Sequence, residues 1–234
     1  MKILACKGIF TPYSNIKTVF RKKNKAASAA YENLIFIVLL CYNIVRKNYG
    51  VKYQRTVMNI WHDIDESRIT ENKFEALIEI PKGCKAKYEL DKETGLLRLD
   101  RVLYTSTVYP ANYGFIPRTL ADDGDPLDVL VLCNETIFPM TLVTCTPIGV
   151  IKMVDGGELD EKIIAVPVND PNYKHYYDIK ELPTHLFEEM MHFFEVYKNL
   201  EHKVTAVKEI CHKYDAIQII RKCIENYNNK YGKK

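Results

Sequence analysis

Residues 122–132 read Asp122-Asp123-Gly124-Asp125-Pro126-Leu127-Asp128-Val129-Leu130-Val131-Leu132. Three carboxylates, Asp123, Asp125 and Asp128, fall within six residues. Gly124 and Pro126 mark a turn, and the apolar run after it reads as a buried strand. Crowded carboxylates repel one another unless cations neutralise them. Hard divalent cations take oxygen ligands, so such a cluster on a rigid turn suits Mg²⁺. A solvated acidic turn is the plain alternative. Spacing excludes an EF-hand. Counted from Asp123, positions 5, 6 and 12 are Leu127, Asp128 and Asn134, where that loop needs an acid, Gly and Glu. A phosphoaspartyl phosphatase would carry its acids after an apolar strand, and here the strand follows them.

Outward from this stretch the chain reads as short strands. Residues 74–80, Phe-Glu-Ala-Leu-Ile-Glu-Ile, form one, and Pro81-Lys82-Gly83 turns it into a second at 86–91. Alternation puts Lys87 and Glu89 on one face of that second strand. Asp91–Gly95 is a hairpin-type turn into 96–101. More strands are expected at 129–132, 141–145, 148–154, 162–166 and 204–207. Short strands without alternating helices point to a closed or partly closed antiparallel barrel. The last third changes period. Pro183-Thr184 opens a helix with Leu186, Met190, Phe193, Tyr197 and Leu200 on one face and Thr184 as candidate N-cap. Asp215-Ala216-Ile217-Gln218 has the capping-box pattern and starts a second helix, with Ile217, Ile220 and Ile224 inward. Residues 228–234 are expected to fray.

Several chemistry-bearing groups surround the acidic turn in order: Glu79-Ile80-Pro81, Lys87-Tyr88-Glu89, Asp100-Arg101, Tyr109 to Pro117, Lys152 to Asp155, Asp160-Glu161-Lys162 and His192 to Lys198. This ordered set, with its central DGDPLDV heptapeptide, resembles the soluble inorganic pyrophosphatases of the first family. The resemblance covers about residues 58–231 and leans towards bacterial-type members. It implies a mainly β fold with flanking helices (α+β), a five-stranded oligonucleotide-binding-type barrel. It also implies Mg²⁺-dependent hydrolysis of pyrophosphate by a metal-activated water, with several ions per site. By resemblance, Asp123, Asp128, Asp155 and Asp160 hold the metals, and Asp125 takes the proton of the attacking water. Lys87, Arg101, Tyr113, Tyr197 and Lys198 bind phosphate oxygens, with Lys162 nearby, while Glu79 and Glu89 orient waters and lysines or hold an additional ion. A homo-oligomer is implied, a hexamer ahead of a dimer. The chain departs from many relatives in having Gly156-Gly157 where an acid often follows the position of Asp155. Glu158 is the acid that would compensate, and the affinity of one metal site is what this affects.

Each of these residues has a bland reading alone. Tyr197 at helical spacing after Phe193 is more often core, Lys87 and Glu89 a solvated strand face, and Arg101 beside Asp100 a surface pair of little weight. Their joint occurrence carries the functional reading. A catalytically dead barrel serving as a binding module is opposed by the presence of every charged position that catalysis needs.

The charge balance divides the chain. Residues 1–57 hold 11 Lys or Arg and one acid, Glu32, for +10, and the remaining 177 residues hold 22 basic and 29 acidic residues, for −7. An acidic body without a basic, aromatic stacking face does not suit nucleic acid. Seven cysteines without CxxC pairs oppose a zinc site and a disulfide framework, which suits reduced thiols and a cytoplasmic location. The basic extension, residues 1–57, is expected to be mostly disordered, with at most a helix around 31–46. Its apolar run at 34–41 is shorter than the roughly 20 residues that span a bilayer, so no stable membrane insertion is expected. An organelle-targeting leader and spurious translation upstream of Met58 are both open accounts of it. Residues 58–234 are the expected catalytic domain.

Overall fold

The computed structural model describes residues 58–232. The helix anticipated around 31–46 and the apolar run at 34–41 lie outside the described residues. Eight strands and three α-helices are present among the described residues: α1 (Ile60–Asp63), β1 (Phe74–Ile80), β2 (Ala86–Leu90), β3 (Leu97–Val102), β4 (Asn112–Phe115), β5 (Asp128–Val131), β6 (Thr141–Asp155), β7 (Glu158–Pro167), α2 (Thr184–Val196), β8 (Thr205–His212) and α3 (Lys213–Tyr231). Strands β1, β4, β5, β7 and β6 pair in that order, and β6 pairs back to β1, so the five close into a ring. Strand β8 extends it from β6, and β2–β3 is a separate hairpin. The β5–β7 pair is parallel and the other pairs are antiparallel. This is the anticipated mainly β fold with flanking helices.

Three details differ from the sequence expectation. The segments 141–145 and 148–154 form one continuous strand, β6, which carries Pro147 at a register shift against β7. Proline cannot donate to a ladder, and an irregular position tolerates it inside a strand. The short β4, four residues that include Gly114, escaped prediction. Both helices also begin elsewhere than expected. Thr184 is the first helical residue of α2 rather than its cap, and Leu200 falls beyond the helix end and is exposed. Helix α3 starts at Lys213, which places Asp215 in the first turn. Its buried face is Ala216, Ile219, Ile220, Cys223 and Tyr227, with Ile217 and Ile224 only half-buried. It runs on to Tyr231 instead of fraying at 228, because Tyr227 and Tyr231 pack around Trp61.

Alternation in the ring decides where the chemistry emerges. Val129 and Val131 of β5 and Ile163 and Ala165 of β7 pack with Ala216, Ile219, Ile220 and Cys223 of α3. The opposite parity, Leu130, Leu132, Ile164 and Val166, packs with Met190, Phe193, Phe194 and Tyr197 around α2. Each fully buried Leu, Ile or Phe contributes about 1.5–3 kcal/mol, so these two clusters fix the register of both strands. Asp128, Asp160 and Lys162 share the second parity and are carried to the α2 side. Among the described residues the five cysteines are free, and no helix is long and apolar enough to cross a membrane.

Candidate active site

A cavity of about 270 Å³ opens on this side of the ring. Its wall takes Glu79 from the end of β1, Lys87 and Glu89 from β2, Tyr113 from β4, Asp123 and Asp125 from the acidic turn, and Asp128 from the start of β5. The end of β6 adds Asp155, β7 adds Asp160 and Lys162, and the end of α2 adds Tyr197 and Lys198. Every anticipated site residue except Arg101 therefore lines one cavity. Arg101 lies directly across from Lys87 in the β2–β3 register and is not among the residues of the wall. Its Nε donates to Glu201 Oε1 at 2.9 Å, its Nη1 donates to Asp100, and its Nη2 is buried with no protein partner. A surface pair would leave no such orphan donor, whose burial is costly unless a ligand satisfies it.

Lys162 organises the centre. It faces Asp128 across the parallel β5–β7 pair and is 2% exposed. Its ammonium donates to Asp128 Oδ2 at 2.7 Å, Asp160 Oδ1 at 2.9 Å and Tyr113 Oη at 3.1 Å. All three N–H groups are thus spent on protein acceptors, so Lys162 arranges the carboxylates rather than offering a free donor to a ligand. Burial opposes its charge, yet Asp128, Tyr113 and Asp160 hold its pKa well above the ordinary lysine value. Tyr113 Oη in turn donates to Asp128. Lys198 donates to Asp155, and Lys87 to Glu89. Burial raises the Tyr113 and Tyr197 hydroxyls above the usual tyrosine range, which keeps both as donors.

The carboxylates are held against mutual repulsion. Burial raises Asp123, and Asp125 and Asp160 add to the rise against the Asp125 N–H that Asp123 accepts at 2.9 Å. Burial likewise raises Asp128, with Lys162 opposing and Asp160 adding. Glu79 is buried beneath them, accepts the Leu90 N–H at 2.7 Å, and is pushed up to about 8 by burial and by Asp128. Among the described residues no three acidic, His or Cys side chains converge on a single point. Lysine ammonium groups lie between them as counter-charges. The donor set is nonetheless all oxygen, borne on strand ends and a tight turn, and crowded enough to favour added positive charge. That chemistry fits a hard divalent cation and not a soft one.

The Gly156-Gly157 departure now has a structural reading. Asp155 faces Glu158 across a two-residue turn in which Gly156 and Gly157 have φ of +60° and +96°. A turn with positive φ at both central residues is cheap for Gly-Gly, tolerates Asp or Asn at the first position and disfavours longer side chains such as Glu. Glu158 is exposed and off the cavity wall. Sequence reasoning also passed over Tyr109 and Lys92, both on the wall. Tyr109 was visible only as an aromatic in a quoted motif. Lys92 sits in the Asp91–Gly95 turn, where a lysine reads as ordinary solvated turn chemistry.

Fold and site together define a phosphate-handling barrel protein with an acidic, lysine-braced cavity. Comparison with known proteins makes this particular. The inorganic pyrophosphatase family profile matches residues 76–228. The chain is 47% identical over 179 residues to soluble inorganic pyrophosphatase 2 of Chlamydomonas reinhardtii, covering 76% of this chain and 93% of that one. It is 51% identical over 167 residues to a soluble inorganic pyrophosphatase of Oryza sativa subsp. indica, covering 71% and 78%. The solved inorganic pyrophosphatase of Helicobacter pylori superposes with a TM-score of 0.66 at 43% identity, covering 68% of this chain and 95% of that one. The chain belongs to the inorganic pyrophosphatase family. The solved inorganic pyrophosphatase of Thermus thermophilus superposes with a TM-score of 0.69 at 36% identity, covering 73% of this chain and 99% of that one, in line with the resemblance to bacterial-type members.

Proposed function

We propose that the chain is a hydrolase that converts inorganic pyrophosphate and water into two phosphates. The observation that carries this reading is one cavity whose wall interleaves five aspartates with lysines and tyrosines. A small, highly charged anhydride needs both, cations to neutralise its oxygens and an acceptor for the proton of the attacking water. The family membership and the names of its relatives support the same substrate.

Mg²⁺ would be held by Asp123, Asp128, Asp155 and Asp160. When bound it supplies Lewis acidity, a lowered pKa for water and a template for the substrate. Asp125, exposed to the cavity between two of those ligands, accepts the proton of the attacking water. The water oxygen bonds to one phosphorus as the bridging P–O bond breaks, and the second phosphate departs with that bond's electrons. Lys87, Lys198, Tyr113 and Tyr197 neutralise and orient phosphate oxygens, and Arg101 has a guanidinium edge left to join them. Lys162 keeps Asp128 and Asp160 aligned. Glu79 and Glu89 brace Leu90 and Lys87.

The family match at 76–228 supports a catalytic domain at 58–234, with residues 1–57 as a basic extension. We read the protein as a homo-oligomer, a hexamer ahead of a dimer, in the cytoplasm, with organelle targeting through residues 1–57 as the alternative. The test is phosphate release from pyrophosphate by the full chain in Mg²⁺ and in chelator. Release that needs Mg²⁺ supports the reading, and no release in Mg²⁺ refutes it.

A further inference from the structure

One cation on the cavity wall has no part in the function proposed above. Lys92 lies in the turn between β2 and β3, and its ammonium donates to Asp125 Oδ1. The same ammonium stands 5.2 Å from the centre of the Trp61 ring. Trp61 is a fixed support, 3% exposed, with its ring N–H donating to Thr119 O at 2.9 Å. The turn itself is tied down where Asn59 Nδ2 donates to Lys92 O at 3.2 Å. Lys92 is thus held from behind by an anchored aromatic face and reaches forward to Asp125.

Asp125 needs such a partner. It is exposed, it sits on a turn, and Lys92 is its one side-chain partner among the described residues. An exposed side chain there samples several rotamers, and a charge-assisted hydrogen bond selects among them. We propose that Lys92 is a positioning residue, which aims the Asp125 carboxylate into the cavity from the Trp61 ring. The inference rests on the pyrophosphatase reading, in which Asp125 receives the proton.

A residue that acts through Asp125 affects the chemical step and not substrate binding. Lys92→Met in the full chain should lower kcat about 10- to 100-fold, the scale of misplacing a reacting group by about an ångström. KM for pyrophosphate should stay within about twofold. Lys92→Arg keeps the charge and the cation–π contact and should restore most of kcat. In an Asp125→Asn background, Lys92→Met should cost nothing further, because the group it positions is gone. Trp61 is the only tryptophan of the chain, so its emission reads the contact directly. Both Lys92→Met and Asp125→Asn should shift that emission, the first by removing the cation and the second by releasing it. A raised KM with unchanged kcat would make Lys92 a substrate contact and overturn the proposal. Unchanged kinetics, or an undiminished further loss in the Asp125→Asn background, would overturn it too. A wild-type chain that hydrolyses no pyrophosphate would refute the parent reading instead. In that case unchanged Trp61 emission in both variants would still overturn the tether.

Discussion

The roles of Asp125 and Glu79 differ because their surroundings differ. Asp125 is exposed at the cavity mouth, whereas Glu79 lies beneath the aspartates with its carboxyl pushed up to about 8. Asp125→Asn keeps the shape and removes the proton acceptor. Turnover should fall roughly 10²- to 10⁴-fold, the usual scale of general base catalysis, while pyrophosphate still binds. Steady-state kinetics check this, and near-normal turnover would take Asp125 out of the role. Glu79 makes a stability prediction. Its folded pKa is raised from 4.5 to about 8, so the folded state holds a proton that the unfolded chain releases. Stability from this group is therefore greatest at acid pH and is lost as pH rises through that window. Glu79→Gln keeps an acceptor for the Leu90 N–H and removes the titration. In metal-free buffer it should raise the melting temperature at pH 9 relative to wild type and change it little at pH 4. Equal effects at the two values would show that Glu79 titrates normally.

Individual elements were legible in the sequence to the extent that their pattern was local. Strand β1 and the core face of α2 follow from apolar spacing alone, and the acidic turn was recognisable from three aspartates and two turn residues. Strand β4 was not, since Asn112-Tyr113-Gly114-Phe115 is only four residues long, carries a glycine, and becomes a strand only because β1 and β5 flank it. The placement of Arg101 opposite Lys87 depends on a register shift between Lys87 and Tyr88 that local spacing does not show. Lys92 and the orphan Nη2 of Arg101 depend on contacts between distant residues, which no spacing rule reports. Gly114 shows how tightly β4 is held. A Cβ at this position would lie 1.8 Å from the Leu77 carbonyl oxygen of β1. Backbone cannot yield there without opening the ring, so Gly114→Ala should cost on the order of 4 kcal/mol, the exceptional end of single substitutions. Urea unfolding and soluble yield measure this, and a variant as stable as wild type would mean that β1 and β4 approach less closely.

The molecule as a whole combines a −7 body with a +10 amino-terminal segment, and every proposed site residue lies in the body. A protein made of residues 58–234 should therefore melt, assemble and turn over pyrophosphate as the full chain does. Side-by-side melting temperature, oligomer mass and kcat decide it, and aggregation or lost activity of the shorter protein would make the extension an integral part of the fold. The lysine pairs that brace the aspartates also bear on metal choice. Mg²⁺ takes near-octahedral oxygen ligands at about 2.0–2.1 Å, while Ca²⁺ prefers about 2.3–2.6 Å and more of them. Ca²⁺ should occupy the same carboxylates yet place the attacking water poorly. The most direct measurement is the rate of phosphate release from pyrophosphate by the full chain in Mg²⁺, with Ca²⁺ then added. Rapid release in Mg²⁺ that Ca²⁺ suppresses is the predicted result, and no release in Mg²⁺, or equal rates with either ion, would contradict it.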